Sequence, residues 1–245
     1  PHVASARAKR ASTLLEVAEV LHRVGARVDE TLRRAQEDLD AAAQREPENA
    51  YIRHHRGVAR FVLAREAIDA GRDGRREARE AAEELEVAVR LDPGNVDAWE
   101  ATGQTWSLIA RDQAARGEDP RDAYGRARAA YDEALGRNPA HGQALLNRGI
   151  LRATVAADRR RRGEDPTPEL AGAVADFSEA LRVDARFVIE SFRQRGHARL
   201  VLGELQARRG EEARPTLAAA AADLTEAAKR DPRDREAAVF AGRAH

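Results

Sequence analysis

No cysteine occurs among the 245 residues, which excludes disulfides, thiolate metal sites and a cysteine nucleophile. No methionine occurs either, so the chain reads as a mature fragment or as a domain of a longer protein. Aromatic residues make up only 4% of the chain. Lys9 and Lys229 are the sole lysines, every other strong base being arginine, as a GC-rich bacterial genome would encode. No apolar run approaches the roughly 20 residues that a membrane-spanning helix needs. Pro1 to Lys9 leads into an amphipathic stretch and not into an apolar signal sequence, so a cytoplasmic location is expected. Forty-two bases balance 42 acids. Zero net charge provides no wholesale attraction to nucleic acid or to an anionic membrane, and neither is expected as a partner.

What is abundant is alanine, leucine, arginine and glutamate, all strong helix formers. The charged fraction is 34%, but charge neutrality and regular apolar spacing separate this chain from the disordered class. A period is visible in three series. Gly57, Gly103, Gly149, Gly196 and Gly242 are separated by 46, 46, 47 and 46 residues. Gly25, Gly71, Gly117, Gly163 and Gly210 are separated by 46, 46, 46 and 47. Pro47, Pro93, Pro139, Ala185 and Pro232 close the units.

Counting back from each closing residue exposes the packing logic. Ala35, Ala81, Ala127, Ala173 and Ala220 recur, followed by Leu39, Leu85, Tyr131, Phe177 and Leu224, then Ala42, Ala88, Ala134, Ala180 and Ala227. Small, large, small at helical spacing lets two helices approach closely, with the large side chain filling the gap beside the alanines.

Trp99 with Gly103, Leu145 with Gly149, Phe192 with Gly196 and the alanine and proline series together resemble the tetratricopeptide repeat. Two features depart from its pattern. The unit is 46 residues where the family's is about 34. The leucine expected just before the glycine is replaced by Arg56, Thr102, Arg148 and Arg195, and Ala11 stands where the first unit's glycine should be. The extra residues fall between the glycine and the second helix, which describes a long-helix variant. The resemblance implies an all-α fold, a right-handed α-solenoid of antiparallel helix pairs with about five repeats plus a C-terminal capping helix. A single domain over 1–245 is expected, with repeats at about 1–47, 48–93, 94–139, 140–185 and 186–232 and a cap at 233–245.

Apolar periodicity and turn residues place helices over 3–24, 28–45, 50–70, 75–91, 96–116, 121–137, 141–162, 167–183, 186–209, 213–230 and 233–244. Gly117, Gly163 and Gly210 sit where a left-handed residue ends a helix. Asp119-Pro120 and Asp165-Pro166 read as an N-cap followed by proline at the first helical position, with Glu118 and Glu164 complementing the positive helix start.

Chemistry-bearing constellations are scarce. His54 and His55 are adjacent and diverge by about 100° around a helix, so they do not make one metal face. No nucleophile elbow, phosphate loop or dinucleotide fingerprint occurs. No enzyme activity, metal or cofactor is expected. Arg159-Arg160-Arg161-Arg162 reads as a solvated helix end, where cations suit the negative dipole.

The resemblance implies ligand-contacting positions six, three and two residues before each glycine and one after it. These are Tyr51, His54, His55 and Val58, then Asp97, Glu100, Ala101 and Gln104, then Gln143, Leu146, Asn147 and Ile150, and finally Glu190, Arg193, Gln194 and His197. Aromatic and imidazole groups come first, acids next, amides and apolar groups in the middle and bases toward the end. Such a surface suits an extended peptide or a partner helix. The lysine-and-asparagine clamp that chaperone-binding members use for a terminal carboxylate has no counterpart here. The expected function is a non-enzymatic protein–protein interaction scaffold, part of a larger bacterial protein of the kind appended to signalling kinases. The alternative is a self-associating structural solenoid that forms a homo-oligomer.

Overall fold

The computed structural model describes residues 2–26 and 28–231. The described elements are helices: α1 (His2–Arg23), α2 (Asp29–Arg45), α3 (Ala50–Asp69), α4 (Arg75–Leu91), α5 (Val96–Ala115), α6 (Arg121–Arg137), α7 (Gly142–Arg161), α8 (Thr167–Val183), α9 (Val188–Arg208) and α10 (Arg214–Arg230), with a 3₁₀ turn at Ala185–Phe187. The capping helix expected over 233–245 lies outside the described residues. The chain divides into two compact units, Pro1–Glu133 and Ala134–His245. In the first, α1 pairs with α2 and α3 with α4, and α2 also packs on α3 and α4 on α5. In the second, α7 pairs with α8, α9 with α10, and α8 packs on α9. The architecture is an all-α helical repeat.

The turns inside the pairs share one design. Gly25, Gly71, Gly117, Gly163 and Gly210 all adopt positive φ, between 70° and 74°. Each follows a helix end that would otherwise leave carbonyls without partners. The reversal lets the next amide reach back: Arg72 N donates to Ala67 O at 2.7 Å, and Glu118, Glu164 and Glu211 donate to Gln113, Arg159 and Gln206 at 2.9 Å. Only glycine takes this conformation without a Cβ penalty. Glu118 and Glu164 turn back onto the helix before them, pairing with Arg116 and Arg162. The following helices are capped by Asp119 and Asp165, whose Oδ1 atoms accept from Arg121 N and Thr167 N at 3.1 Å. Pro166 already has helical dihedrals, as its place after the cap requires.

Between pairs, Asn49, Asn95 and His141 cap α3, α5 and α7 through side-chain acceptors. The fifth unit begins differently. The extra residue of the 46-to-47 step falls between positions 185 and 196. It is absorbed by the 3₁₀ turn, so that α9 starts at Val188 and not at 186.

The packing series meet as their spacing requires. Leu39, Leu85, Tyr131, Phe177 and Leu224 are fully buried. A Cβ on Gly57 would come within 2.5 Å of Leu85, one on Gly103 within 2.5 Å of Tyr131, one on Gly149 within 2.5 Å of Phe177 and one on Gly196 within 2.7 Å of Leu224. Each glycine therefore makes room for the large residue 28 positions on.

The arginine that stands where the family has leucine also acquires a partner, 28 positions on. Arg10 binds Asp38, Arg56 binds Glu84, Arg148 binds Asp176 and Arg195 binds Asp223. Asp38, Asp176 and Asp223 are buried. Arg148 and Arg195 grip their aspartates with two nitrogens each, at 2.6 to 3.0 Å. The third repeat lacks both halves: Thr102 replaces the arginine and Ala130 the acid. Thr102 satisfies its hydroxyl by donating to Ala98 O at 2.7 Å.

Candidate interaction surfaces

In the first unit, the residues nominated on α3 and α5 form one cluster. Tyr51 and His55 meet edge to face with centroids 4.2 Å apart. His54 and His55 diverge at their Cα atoms, but their rings swing together and stack at 4.9 Å. Burial pushes the His55 imidazole down to about 4; neighbouring His54 pushes the same way and the Asp97 carboxylate opposes both. Burial likewise lowers His54, again against Asp97. Both rings are therefore neutral near pH 7 and present an aromatic surface beside an acid.

Glu100 and Gln104 behave differently. Gln104 Nε2 donates to Glu100 Oε1 at 2.7 Å, and Glu100 is only 8% exposed. Its charge adds to burial in holding the Tyr131 hydroxyl in the neutral form. Val58 packs into the core formed by α1, α2 and α3, and Ala101 is buried. Tyr51, His54, His55, Asp97 and Gln104 remain as surface.

In the second unit, Leu146 is 5% exposed and belongs to the core with Ala156, Leu170 and Phe177, and Ile150 packs beside it. Gln143 and Asn147 stay half-buried on α7. Glu190 anchors its own helix face, pairing with Arg193 and accepting from Gln194 Nε2 at 2.7 Å. Gln194 and His197 line a cavity of about 120 Å³ with Ala153, Ala156, Arg160 and Val201. A small apolar floor under a guanidinium, an imidazole and an amide can take a short polar side chain and fix its orientation.

Arg160, within a run that by charge alone reads as a solvated helix end, lines this cavity. The other three members of its run are tied within the fold: Arg159 to Glu169, Arg161 to Asp158, and Arg162 to Asp158 and Glu164. Its signal lay in spacing and not in charge density. Leu146, Ile150, Ala153, Ala157 and Arg160 follow one another at intervals of four, three, four and three, along a single helix face. Among the described residues, no group of three or more histidines and carboxylates is placed to hold a metal ion.

No family model matches the chain, and no curated protein matches it. Solved structures do. A thermophilic TPR protein of Thermus thermophilus, TTC0263, is 18% identical, with 96% of this chain and 98% of that one covered at a TM-score of 0.57. The fold is that of the tetratricopeptide-repeat (TPR) proteins. YrrB, described as a TPR protein with an unusual peptide-binding site, is 17% identical with 94% and 90% covered and a TM-score of 0.53. The type IV pilus biogenesis factor PilW is 18% identical over the same shares, at 0.52. Against the TPR pattern, the departures noted above have physical compensation. In the fourth and fifth repeats the missing leucine is an arginine with its own buried acid, and the longer unit is two longer helices closed by the same glycine turn.

Proposed function

We propose that this chain is a non-catalytic protein-interaction module that binds an extended peptide segment of a partner protein. The reading is carried by the cavity of about 120 Å³ in which Gln194 and His197, nominated by repeat register, meet Arg160 from the neighbouring inner helix. Its cationic wall and alanine floor select a short acidic side chain, aspartate in particular. Tyr51, His54, His55, Asp97 and Gln104 form a second, aromatic contact surface in the first unit, and Gln143, Asn147, Glu190 and Arg193 border the cavity's helices. The peptide-binding description of YrrB supports the same use of the fold. Attachment to a larger bacterial signalling protein, and a cytoplasmic setting, complete the proposal; among the described residues no helix is long and apolar enough to cross a membrane.

The test is a titration of acidic and amide-matched peptides (Asp against Asn at one position) by calorimetry. R160A/H197A should weaken the aspartate peptide about tenfold or more while helicity by circular dichroism is kept, in line with loss of charge-assisted hydrogen bonds. Equal binding of the Asp and Asn peptides, or unchanged affinity in the variant, would sink the reading.

One observation favours self-association as a second reading. Val17, Val20 and Val24, on and just beyond α1, are 44%, 55% and 71% exposed. Light scattering across a concentration series checks it: a particle of monomer mass throughout excludes it.

A further inference from the structure

The third repeat departs from its sisters at three coordinated positions. In the second, fourth and fifth repeats the residue before the glycine and the residue three after it are arginines: Arg56 and Arg60, Arg148 and Arg152, Arg195 and Arg199. These reach carboxylates on the second helix of their own repeat. In the third repeat the same places hold Thr102 and Trp106, and the acid at the 130 position is alanine. The space that guanidinium and carboxylate groups fill elsewhere opens here as a cavity of about 380 Å³. It is lined by Val89, Trp99, Thr102, Trp106, Ala129 and Ala130 together with the charged Glu86, Arg90, Arg126 and Glu133.

Two features give the cavity a chemical character. Its aromatic walls are the chain's two tryptophans. Both are polar-satisfied or engaged from outside: Trp99 Nε1 donates to Pro93 O at 3.0 Å, and Arg126 lies over the Trp106 ring at 4.6 Å. The Thr102 hydroxyl proton is spent on Ala98 O. Trp99 and Thr102 have thus spent their donors inside the fold, and the two indoles offer π faces to a guest. Glu86 also stands one repeat length after Asp40, the residue that accepts from Arg56 Nε at 3.1 Å. The upstream acceptor is retained where the arginine is gone. Around the cavity two carboxylates (Glu86 and Glu133) face two guanidiniums (Arg90 and Arg126). Arg126 is already held by Asp122 at 3.0 Å and lies 3.7 Å from Glu86.

We propose that this cavity is a receptor for an arginine side chain presented by a partner protein, which takes the place that the chain's own arginine occupies in the sister repeats. A planar guanidinium stacks on an indole and meets carboxylates with a fork of donors, which a lysine ammonium does not do. Trp99, Thr102 and Trp106 lie about half a turn around α5 from Asp97 and Gln104, at about 100° per residue. The arginine receptor is therefore separate from the peptide-binding face, and the two can be occupied together.

Because both tryptophans line the site, indole emission reports on it directly. The experiment titrates the full chain with blocked Gly-Arg-Gly, Gly-Lys-Gly and Gly-citrulline-Gly, citrulline being the uncharged isostere of arginine. The arginine peptide should give a saturable change, about tenfold tighter than citrulline and tighter than lysine. T102R/A130D, which rebuilds the sister repeats' ion pair inside the cavity, should abolish the response with helicity kept. E86Q preserves shape and should weaken the arginine peptide about threefold or more, which decides the matter if the double variant does not fold. Equal response to arginine and citrulline, no response to arginine, or full arginine affinity in E86Q would overturn the proposal.

Discussion

The Arg148–Asp176 pair offers the sharpest test of how this repeat replaces the usual leucine. Arg148 Nη2 and Nε donate to the two carboxylate oxygens at 2.6 and 3.0 Å, and Arg152 Nε approaches Oδ2 at 3.3 Å. The Asp176 side chain is 5% exposed and the Arg148 side chain 18%. Removing one member of a buried pair costs about 3–5 kcal/mol, because the survivor stays buried without its counter-charge. D176A strands two guanidiniums that have partial access to water, which sets its cost near the lower end, about 3 kcal/mol. R148L strands Asp176, but Arg152 still holds one oxygen, so about 2 kcal/mol is expected. R148L/D176A supplies the family's leucine and removes both charges, the latter as Thr102 and Ala130 do in the third repeat. It should fall within about 1 kcal/mol of the parent. The coupling energy is then about 4 kcal/mol, far above the value for independent sites. Urea unfolding followed by far-ultraviolet circular dichroism measures all four proteins. Additive single losses, with coupling below about 0.5 kcal/mol, would refute the ion-pair account of the repeat.

Two further predictions follow from packing and burial. G149A should destabilise by about 1–2 kcal/mol, since its methyl would land 2.5 Å from the Phe177 ring and the overpacking cost exceeds the gain in helix propensity. G125A, at an exposed helical glycine with nothing within 4 Å, should stabilise by up to about 1 kcal/mol; urea midpoints of the two variants must move in opposite directions. The third concerns pH. An unfolded histidine binds a proton near 6.5, whereas folded His55 does so only near 4. Between these values the unfolded state holds more protons, so the His55 contribution is complete above about pH 6.5 and is lost as pH falls toward 4. The parent should therefore lose more stability between pH 7 and pH 5 than H55Q does; equal losses would show that burial of the ring is not what lowers its affinity for protons.

Much of the fold was legible because helical pairs are built from local rules. Glycines at a fixed period must end helices in the left-handed conformation, and all five in the series from Gly25 to Gly210 do. The series of alanines around Leu85, Tyr131 and Phe177 declared a close helix contact, and the structure buries each of them. The start of α9 was less legible. The inserted residue forms the 3₁₀ turn Ala185–Phe187 and does not lengthen α9, although Asp184 caps Arg186 N just as Asp92 and Asn138 cap Gly94 N and Ala140 N in the preceding repeats.

The candidate sites were legible only as register. Repeat position placed Tyr51, His54, His55 and Asp97 on one face, and spacing alone could not tell that the two imidazole rings stack despite diverging backbones. Register also put Glu100 and Leu146 among the contact positions of their own repeats without revealing that the fold buries both. Composition, periodicity and turn chemistry determined the helices, their pairing and the repeat, because each depends on contacts a few residues apart or one helix away. The tertiary structure decided which charges are paired, which of four consecutive arginines reaches a cavity, and why the third repeat has one where its sisters have a salt bridge. Those outcomes turn on side chains from two or three helices meeting in space, where a partner 28 positions away sets the cost of burying a charge and its joint absence leaves room for a guest.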